Sequence, residues 1–214
     1  KTIERADIRA LALTDIATAQ AKAGDVKEAL ATAKTIEDAY YRALALTGIA
    51  TAQAKAGDVK EAKKTFVQAL ASAKTIEDAD IRAEALTGIA TAQANAGDVK
   101  EAKKTFVQAF ASAKTIEDAD DRAEALTGIA KAQAKAGDVK KAKKTFVQAF
   151  ATAKTIEDDD NRTEALTGIA TAQAKAGDVK AAKETFVQVL ATAKTIEDDD
   201  IRAEALAGIA TAQA

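Results

Sequence analysis

Residues 81–120 read IRAEALTGIATAQANAGDVKEAKKTFVQAFASAKTIEDAD, and this 40-residue motif recurs with few substitutions along most of the 214-residue chain. Its tetrapeptide GDVK begins at five positions: Gly24, Gly57, Gly97, Gly137 and Gly177. The first interval is therefore 33 residues, and the next three are 40 residues each. Regular repetition at this length predicts a stack of similar structural repeats rather than a domain with one central core.

Each repeat divides into two segments with helical periodicity. In the first segment, side chains at i, i+3, i+4 and i+7 share one face: Leu86, Ile89, Ala90 and Gln93. In the second segment, a longer apolar stripe has helical spacing: Val99, Ala102, Phe106, Ala109, Phe110 and Ala113. No segment has the alternation of a β-strand. The sequence therefore predicts an all-α protein with about eleven helices, the two stripes forming its core.

The sequence also predicts the turns between these segments. Gly97 follows the first segment at the position where a helix commonly ends in a left-handed residue. Asp98 comes next with Glu101 three residues later, which is the spacing of a capping box at the start of the second helix. The segment KTIEDAD at Lys74–Asp80 is expected to form the exit turn, where its aspartates supply the N-cap of the next repeat.

The first repeat lacks seven residues, the equivalent of KKTFVQA in the later repeats. Because seven residues make close to two turns of α-helix, this deletion shortens the second helix without rotating its apolar face. The length of the deletion is therefore independent support for helix.

Composition excludes several classes of function. The chain has no Cys, His, Met, Trp or Pro, and its 31 Lys and Arg nearly balance its 33 Asp and Glu. Thiol or imidazole catalysis, zinc sites and iron–sulfur clusters are excluded with those residues, and we expect no enzyme activity and no cofactor. The balanced charge argues against nucleic acid as a partner. No apolar run approaches the roughly 20 residues of a membrane span, and the default expectation is a cytoplasmic protein.

The order and spacing of these positions resemble those of tetratricopeptide (TPR) repeats. The match comprises Leu86, Ile89, Ala90, Gly97, Asp98, Ala102, Phe106 and Ala109. Departures are Leu in place of the frequent Trp, Gln93 in place of an aromatic residue, no closing Pro, and 40 residues in place of about 34. The resemblance implies a right-handed α-solenoid of stacked antiparallel helix pairs over residues 1–214. Its repeats lie near 7–39, 40–79, 80–119, 120–159 and 160–199, with a lone helix at 200–214.

The same resemblance implies a non-catalytic scaffold that binds a protein or peptide on a concave face built from the first helices. Carried over position by position, that face consists of Thr47, Thr51, Lys55, Glu84, Thr87, Thr91, Asn95, Glu124, Thr127, Lys131, Lys135, Glu164, Thr167, Thr171 and Lys175. Some TPR proteins bind the C-terminal carboxylate of a peptide with Asn side chains at positions where this chain has Thr. We therefore do not expect this chain to bind a peptide carboxylate in that way.

The alternative is a structural or self-assembling module, or an engineered, consensus-like scaffold without a natural ligand. An apolar stripe on the last helix supports end-to-end stacking: Leu206, Ile209 and Ala210.

The charged runs, the two tyrosines and the glycines inside the first helices are less informative about function. The lysine runs at 100–104 and 140–144 are expected on a solvated outer face, and the acidic runs at 157–160 and 197–200 as helix caps. Tyr40 and Tyr41 stand where the next repeat has Asp80 and Ile81, either filling space left by the shorter repeat or forming a local contact site. The glycines inside the first helices, such as Gly88, have no explanation in the sequence.

Overall fold

The computed structural model describes residues 6–196 and, beyond them, Asp199, Arg202, Ala203, Leu206 and Ala207. Within that part the elements are ten α-helices: α1 (Ala6–Ala23), α2 (Val26–Lys34), α3 (Ala39–Lys55), α4 (Val59–Ala73), α5 (Ala79–Asn95), α6 (Val99–Ala113), α7 (Ala119–Lys135), α8 (Val139–Ala153), α9 (Asp159–Lys175) and α10 (Val179–Ala193). Odd-numbered elements are the first helices of the repeats and even-numbered ones are the second helices. The all-α prediction is confirmed.

The chain divides into two compact units, Lys1–Ser112 and Ala113–Ala214. In the first unit α3 packs against α1, α4 and α5, and α1 also packs against α2. In the second unit α9 packs against α7, α8 and α10, and α7 also packs against α8. Within each unit, a first helix contacts its own second helix and the neighbouring first helices. This confirms the predicted stacking of helix pairs, whereas one solenoid over residues 1–214 stays a prediction.

The predicted core stripe of the first helices is confirmed, and that of the second helices needs two corrections. Phe106 is buried, as are the alanines of its stripe. Val99, however, is 44% exposed, because it is the first residue of α6 and follows a surface turn. Phe110 is only half-buried, because it lies beside Ala109 at the edge of the stripe rather than in its centre. Of the stripe predicted for the lone helix, Leu206 is half-buried, whereas Ile209 and Ala210 lie outside the described residues.

The turn glycines have the predicted left-handed conformation, but the predicted capping box is wrong in the two repeats where its N-cap is described, at Asp25 and Asp58. At Gly97 φ is +82°. In the turns that follow such glycines, Asp25, Asp58, Asp138 and Asp178 accept no capping hydrogen bond through their side chains. Their ψ values of 55–60° differ from the extended backbone of a capping residue. Glu101 contacts Lys104 at 2.8 Å instead.

The exit turns are capped as predicted. Asp38, Asp78, Asp118 and Asp158 have ψ values of 125–135°, and each carboxylate accepts hydrogen bonds from backbone N–H groups of the next helix. Arg82 adds a contact that sequence reasoning missed, donating to the carbonyls of Ile76 (2.7 Å) and Glu77 (2.9 Å). Arg42, Arg122 and Arg162 repeat this pair of bonds. The turn carbonyls therefore have partners although no helix supplies them.

A glutamine joins the two helices of every repeat, and it is buried in the four full repeats. Gln93 is 3% exposed, and its Oε1 accepts a hydrogen bond from the Thr105 hydroxyl at 2.7 Å. The same bond recurs in the other full repeats between Gln53 and Thr65, Gln133 and Thr145, and Gln173 and Thr185. In the short first repeat it forms between Gln20 and Thr32 at 2.8 Å. Loss of seven residues has thus kept the inward face of α2 in register, as predicted.

We expect replacement by alanine to stabilise the protein at three of the helix glycines, and to give a different result at the fourth. A Cβ added at Gly88, Gly128 or Gly168 meets no atom within 4 Å, so each substitution should raise the free energy of unfolding by about 0.5–1 kcal/mol. A Cβ at Gly48 would lie 2.6 Å from Thr18 Oγ1, so Gly48→Ala should lose that gain. Urea unfolding followed by circular dichroism measures all four.

The background Thr18→Ala is the control for Gly48, because it removes the contacting hydroxyl. There, Gly48→Ala should stabilise as much as Gly88→Ala. Equal stabilisation by all four substitutions in the parent chain would contradict the packing at Gly48.

Candidate functional site: the exposed face of the first helices

The predicted binding residues lie on the outward sides of α3, α5, α7 and α9, called here the first-helix face. Its charged and amide side chains are exposed, from Lys55 on α3 to Lys175 on α9. The threonines are half-buried, except for Thr127, which is only 6% exposed. Each unit therefore carries a band of threonines flanked by charged side chains.

The threonine hydroxyls of this face donate to their own helices. Thr87 Oγ1 donates to the Ala83 carbonyl at 2.7 Å, and Thr91 Oγ1 to the Thr87 carbonyl at 2.8 Å. Thr47, Thr51, Thr127, Thr167 and Thr171 make the same bond to the residue four positions earlier. Because the hydroxyl protons are bonded to backbone carbonyls of the same helix, these threonines can contact a partner by their shape but do not donate hydrogen bonds to it.

In the second unit, a groove of about 310 Å³ lies between α7 and α9. It is lined by four residues of the predicted face: Glu124, Thr127, Lys131 and Glu164. Small residues widen it, namely Ala123, Gly128, Ala165 and Gly168. Burial raises the pKa of Asp120, also in the lining, and the nearby carboxylates Asp118 and Glu164 raise it further. The sequence pointed to neither Asp120 nor the glycines as groove residues, although their recurrence every 40 residues was visible.

In the first unit, a wider cavity of about 550 Å³ lies at the start of α3 and α5. Its lining consists of Asp38, Ala39, Tyr40, Tyr41, Thr75, Ile76, Glu77, Asp78, Ile81 and Glu84, and we call it the tyrosine cleft. Tyr40 donates from its hydroxyl to Glu84 Oε1 at 2.9 Å, across the two helices. The rings of Tyr40 and Tyr41 meet edge to face, with their centroids 5.4 Å apart.

The tyrosine–glutamate pair has a counterpart in the second unit. Counting in 40-residue steps, Tyr40 corresponds to Asp120 and Glu84 to Glu164. Two carboxylates thus repel each other in the second unit where a hydrogen bond forms in the first. Tyr40 therefore does more than fill the space next to the shorter repeat, because its hydroxyl joins α3 to α5.

We expect the pKa of Tyr40 to depend on Glu84. Burial, followed by the hydrogen bond and negative charge of Glu84, raises this pKa to about 12, from the ordinary value of 10.0. Because the folded state holds the phenol proton more tightly than the unfolded state, this contribution to stability is complete below pH 10 and is lost between about pH 10 and 12. Titration of tyrosinate absorbance in a Tyr41→Phe background measures Tyr40 alone.

The comparison for that titration is Glu84→Gln in the same background. It removes the charge and weakens the hydrogen bond, so the pKa of Tyr40 should fall. Superimposable titration curves would show that Glu84 does not hold the phenol.

The lysines of the runs at 100–104 and 140–144 are exposed, as predicted, and some lysines of the second helices pair with acidic residues. Lys63 contacts Asp98 at 3.2 Å, and Lys143 contacts Asp178 at 3.3 Å, in each case joining a second helix to the turn of the next repeat. In the acidic run at 157–160, Asp158 is an N-cap, as predicted. Across the described residues, no group of three or more Asp or Glu is arranged to hold a metal ion. Nor, in that part of the chain, is any helix long and apolar enough to cross a membrane.

Solved structures with the same fold include repeat proteins. Ton1535 from Thermococcus onnurineus NA1 is 22% identical with a TM-score of 0.66, covering 94% of this chain but only 58% of its own. A putative kinesin light chain from Podosopora anserina, described as having nearly identical TPR-like repeats, is 24% identical with a TM-score of 0.50. That match covers 92% of this chain and 100% of the other. No protein-family model matches the chain, and no curated protein does so significantly. The predicted TPR-like fold is confirmed.

Proposed function

We propose that this chain, which has the fold of TPR-like repeat proteins, is a non-catalytic scaffold that binds a peptide or protein segment on the first-helix face. What supports the proposal is the groove between α7 and α9, because four of the residues expected from the sequence to bind a partner line it together. The absence of Cys and His from the sequence supports the non-catalytic part.

The groove favours an extended segment that is recognised by shape and charge. Its threonine hydroxyl donates within its own helix, so the donor available to a partner is the ammonium of Lys131. Glu124, Glu164 and Asp120 supply acceptors. A peptide backbone offers both N–H and C=O groups, and therefore matches such a mixture.

Selection from a random peptide display library against the whole chain tests this proposal. Gly168→Phe should weaken the selected peptides at least about tenfold, because a large ring would occupy the groove. The variant should fold, since an added Cβ at Gly168 meets no atom within 4 Å. Val147→Phe is the matched control, because Val147 lies on the second helix α8 and is 60% exposed. Failure to enrich any peptide, or equal weakening by both variants, would contradict the proposal.

Self-association is a second candidate function, favoured by exposed apolar side chains on α1. Ile8, Leu11 and Ile16 are 46%, 48% and 48% exposed, whereas the counterpart of Ile16 in the next repeat, Ile49, is fully buried. Light scattering over a wide concentration range should then give a molar mass that climbs without a plateau, and Leu11→Lys should abolish the climb. A constant monomer mass would exclude this candidate.

A further inference from the structure

The tyrosine cleft has an excess of negative charge, although the guanidinium of Arg82 binds the carbonyls of two of its lining residues, Ile76 and Glu77. Four of its ten lining residues are acidic, namely Asp38, Glu77, Asp78 and Glu84, and no Lys or Arg is among the ten. The groove of the second unit differs, because Lys131 is part of its lining. An occupant of the tyrosine cleft is therefore favoured if it carries positive charge.

The carboxylates of the cleft keep acceptor capacity. Asp38 uses Oδ1 to accept from the Tyr41 N–H at 2.9 Å, and Asp78 uses Oδ1 to accept from the N–H groups of Asp80 and Ile81. Glu84 accepts the Tyr40 hydroxyl on Oε1. These bonds fix the three side chains in place while each carboxylate retains its second oxygen for a charged donor.

The aromatic side chains give the cleft a second means of attracting a cation. The Tyr40–Glu84 hydrogen bond and the edge-to-face contact hold both rings in the lining. Aromatic rings attract ammonium and guanidinium groups through their electron-rich faces. Ile76 and Ile81 complete the lining with apolar surface, which suits the aliphatic stem of a long side chain.

From this combination we infer that the tyrosine cleft binds an arginine or lysine side chain of a peptide that lies along α3 and α5, the part of the first-helix face in the first unit. The inference rests on the proposed function for the peptide, and adds the chemistry of one of its residues. A bare metal ion is a poor match, because the cavity of about 550 Å³ is walled partly by aromatic and aliphatic side chains. The corresponding positions in the second unit, Asp120 and Asp121, have no ring, so the specificity belongs to this repeat.

The chain provides its own reporter for this binding. Tyr40 and Tyr41 are its only tyrosines and it has no Trp, so all of its tyrosine emission comes from the cleft. The probe is the capped tripeptide acetyl-Ala-Arg-Ala-amide, compared with the same tripeptide carrying citrulline, which has nearly the same shape without the charge. We expect a saturable emission change with the arginine peptide, binding at least about fivefold weaker for citrulline, and weakening by added salt.

Two variants locate the site. Tyr40→Leu removes the aromatic ring without changing the charge of the cleft, and it should weaken the arginine peptide by at least about fivefold. The double substitution Asp120→Tyr and Asp121→Tyr should give the second unit a similar cleft facing Glu164 and raise the stoichiometry from one peptide to two. Circular dichroism verifies that each variant is folded.

Equal affinity for the arginine and citrulline peptides, or no emission change up to the solubility limit of the arginine peptide, would overturn the inference. The failure is distinguishable from that of the proposed function. If the selected peptides were weakened by the Gly168 variant but not by the Tyr40 variant, and had no preferred basic residue, the inference would be wrong. The proposed peptide-binding function would still hold.

Discussion

Replacing Phe106 with alanine should lower the free energy of unfolding by about 3–5 kcal/mol, the largest effect we expect from a single substitution. The ring is 2% exposed and lies in the centre of the apolar stripe of α6, between Ala102 and Ala109. Alanines on either side cannot expand into the space that the ring leaves, so loss of burial adds to the cost of a cavity.

Val107→Ala is the control for this substitution. Val107 is the next residue along the same helix but is 57% exposed, so its truncation should change stability by less than about 0.5 kcal/mol. Urea unfolding monitored by circular dichroism compares the two. Similar small losses for both would mean that the second-helix stripe is not core. Amide hydrogen exchange should place the loss in α6 and its neighbours, because repeats are stabilised by nearest-neighbour contacts.

Thr105→Val should cost about 1–3 kcal/mol, although it keeps the volume of the side chain. The hydroxyl of Thr105 is buried and donates to Gln93 Oε1 at 2.7 Å. Without the Thr105 hydroxyl, the amide oxygen of Gln93 has lost a hydrogen-bond donor. Because Gln93 is only 3% exposed, the cost of burying this oxygen is then no longer offset. The same urea unfolding experiment measures the loss.

The matched comparison is Thr87→Val, which also removes a hydroxyl bonded four residues back, but on the half-buried first-helix face. It should change stability by less than about 0.5 kcal/mol. The double variant Thr105→Val with Gln93→Leu should recover most of the loss, since both polar partners are then gone. If the double variant lost the sum of the two single effects, the bond between the side chains would not be the cause.

Features that depend on local geometry could be predicted from the sequence. The buried face of the first helices follows from spacing alone, because an α-helix returns to the same side every three to four residues. The turn at Gly97 follows from the freedom of glycine at positive φ, which the structure uses at +82°. Repetition made both patterns easier to recognise, since each recurs in successive repeats.

Features that depend on contacts between distant residues could not be predicted. Tyr40 and Glu84 are 44 residues apart, and only the stacking of α3 on α5 brings them together. The missing cap at Asp58 has a different origin, since the spacing to Glu61 fits a capping box but the backbone ψ of 60° does not. Val99 was predicted to be core but is 44% exposed, because periodicity gives the direction of a side chain but not where the neighbouring helix ends. Four residues of the groove were among those that the resemblance suggested, whereas the tyrosine cleft could be recognised only from the fold.

The glutamine–threonine bond sets a rule for how the length of this protein can change. Deleting seven residues from a second helix turns its inward face by only about 20°, so a threonine still reaches the glutamine, as Thr32 reaches Gln20. A deletion of five residues would turn that face by about 140° and break the bond. Insertions and deletions compatible with this core are therefore restricted to lengths close to a whole number of helical turns inside a second helix, such as seven residues, or to a whole repeat. Genetic exchange between near-identical repeats supplies steps of the second kind, so such a gene can vary the number of its repeats while every surviving helix pair keeps its internal bond.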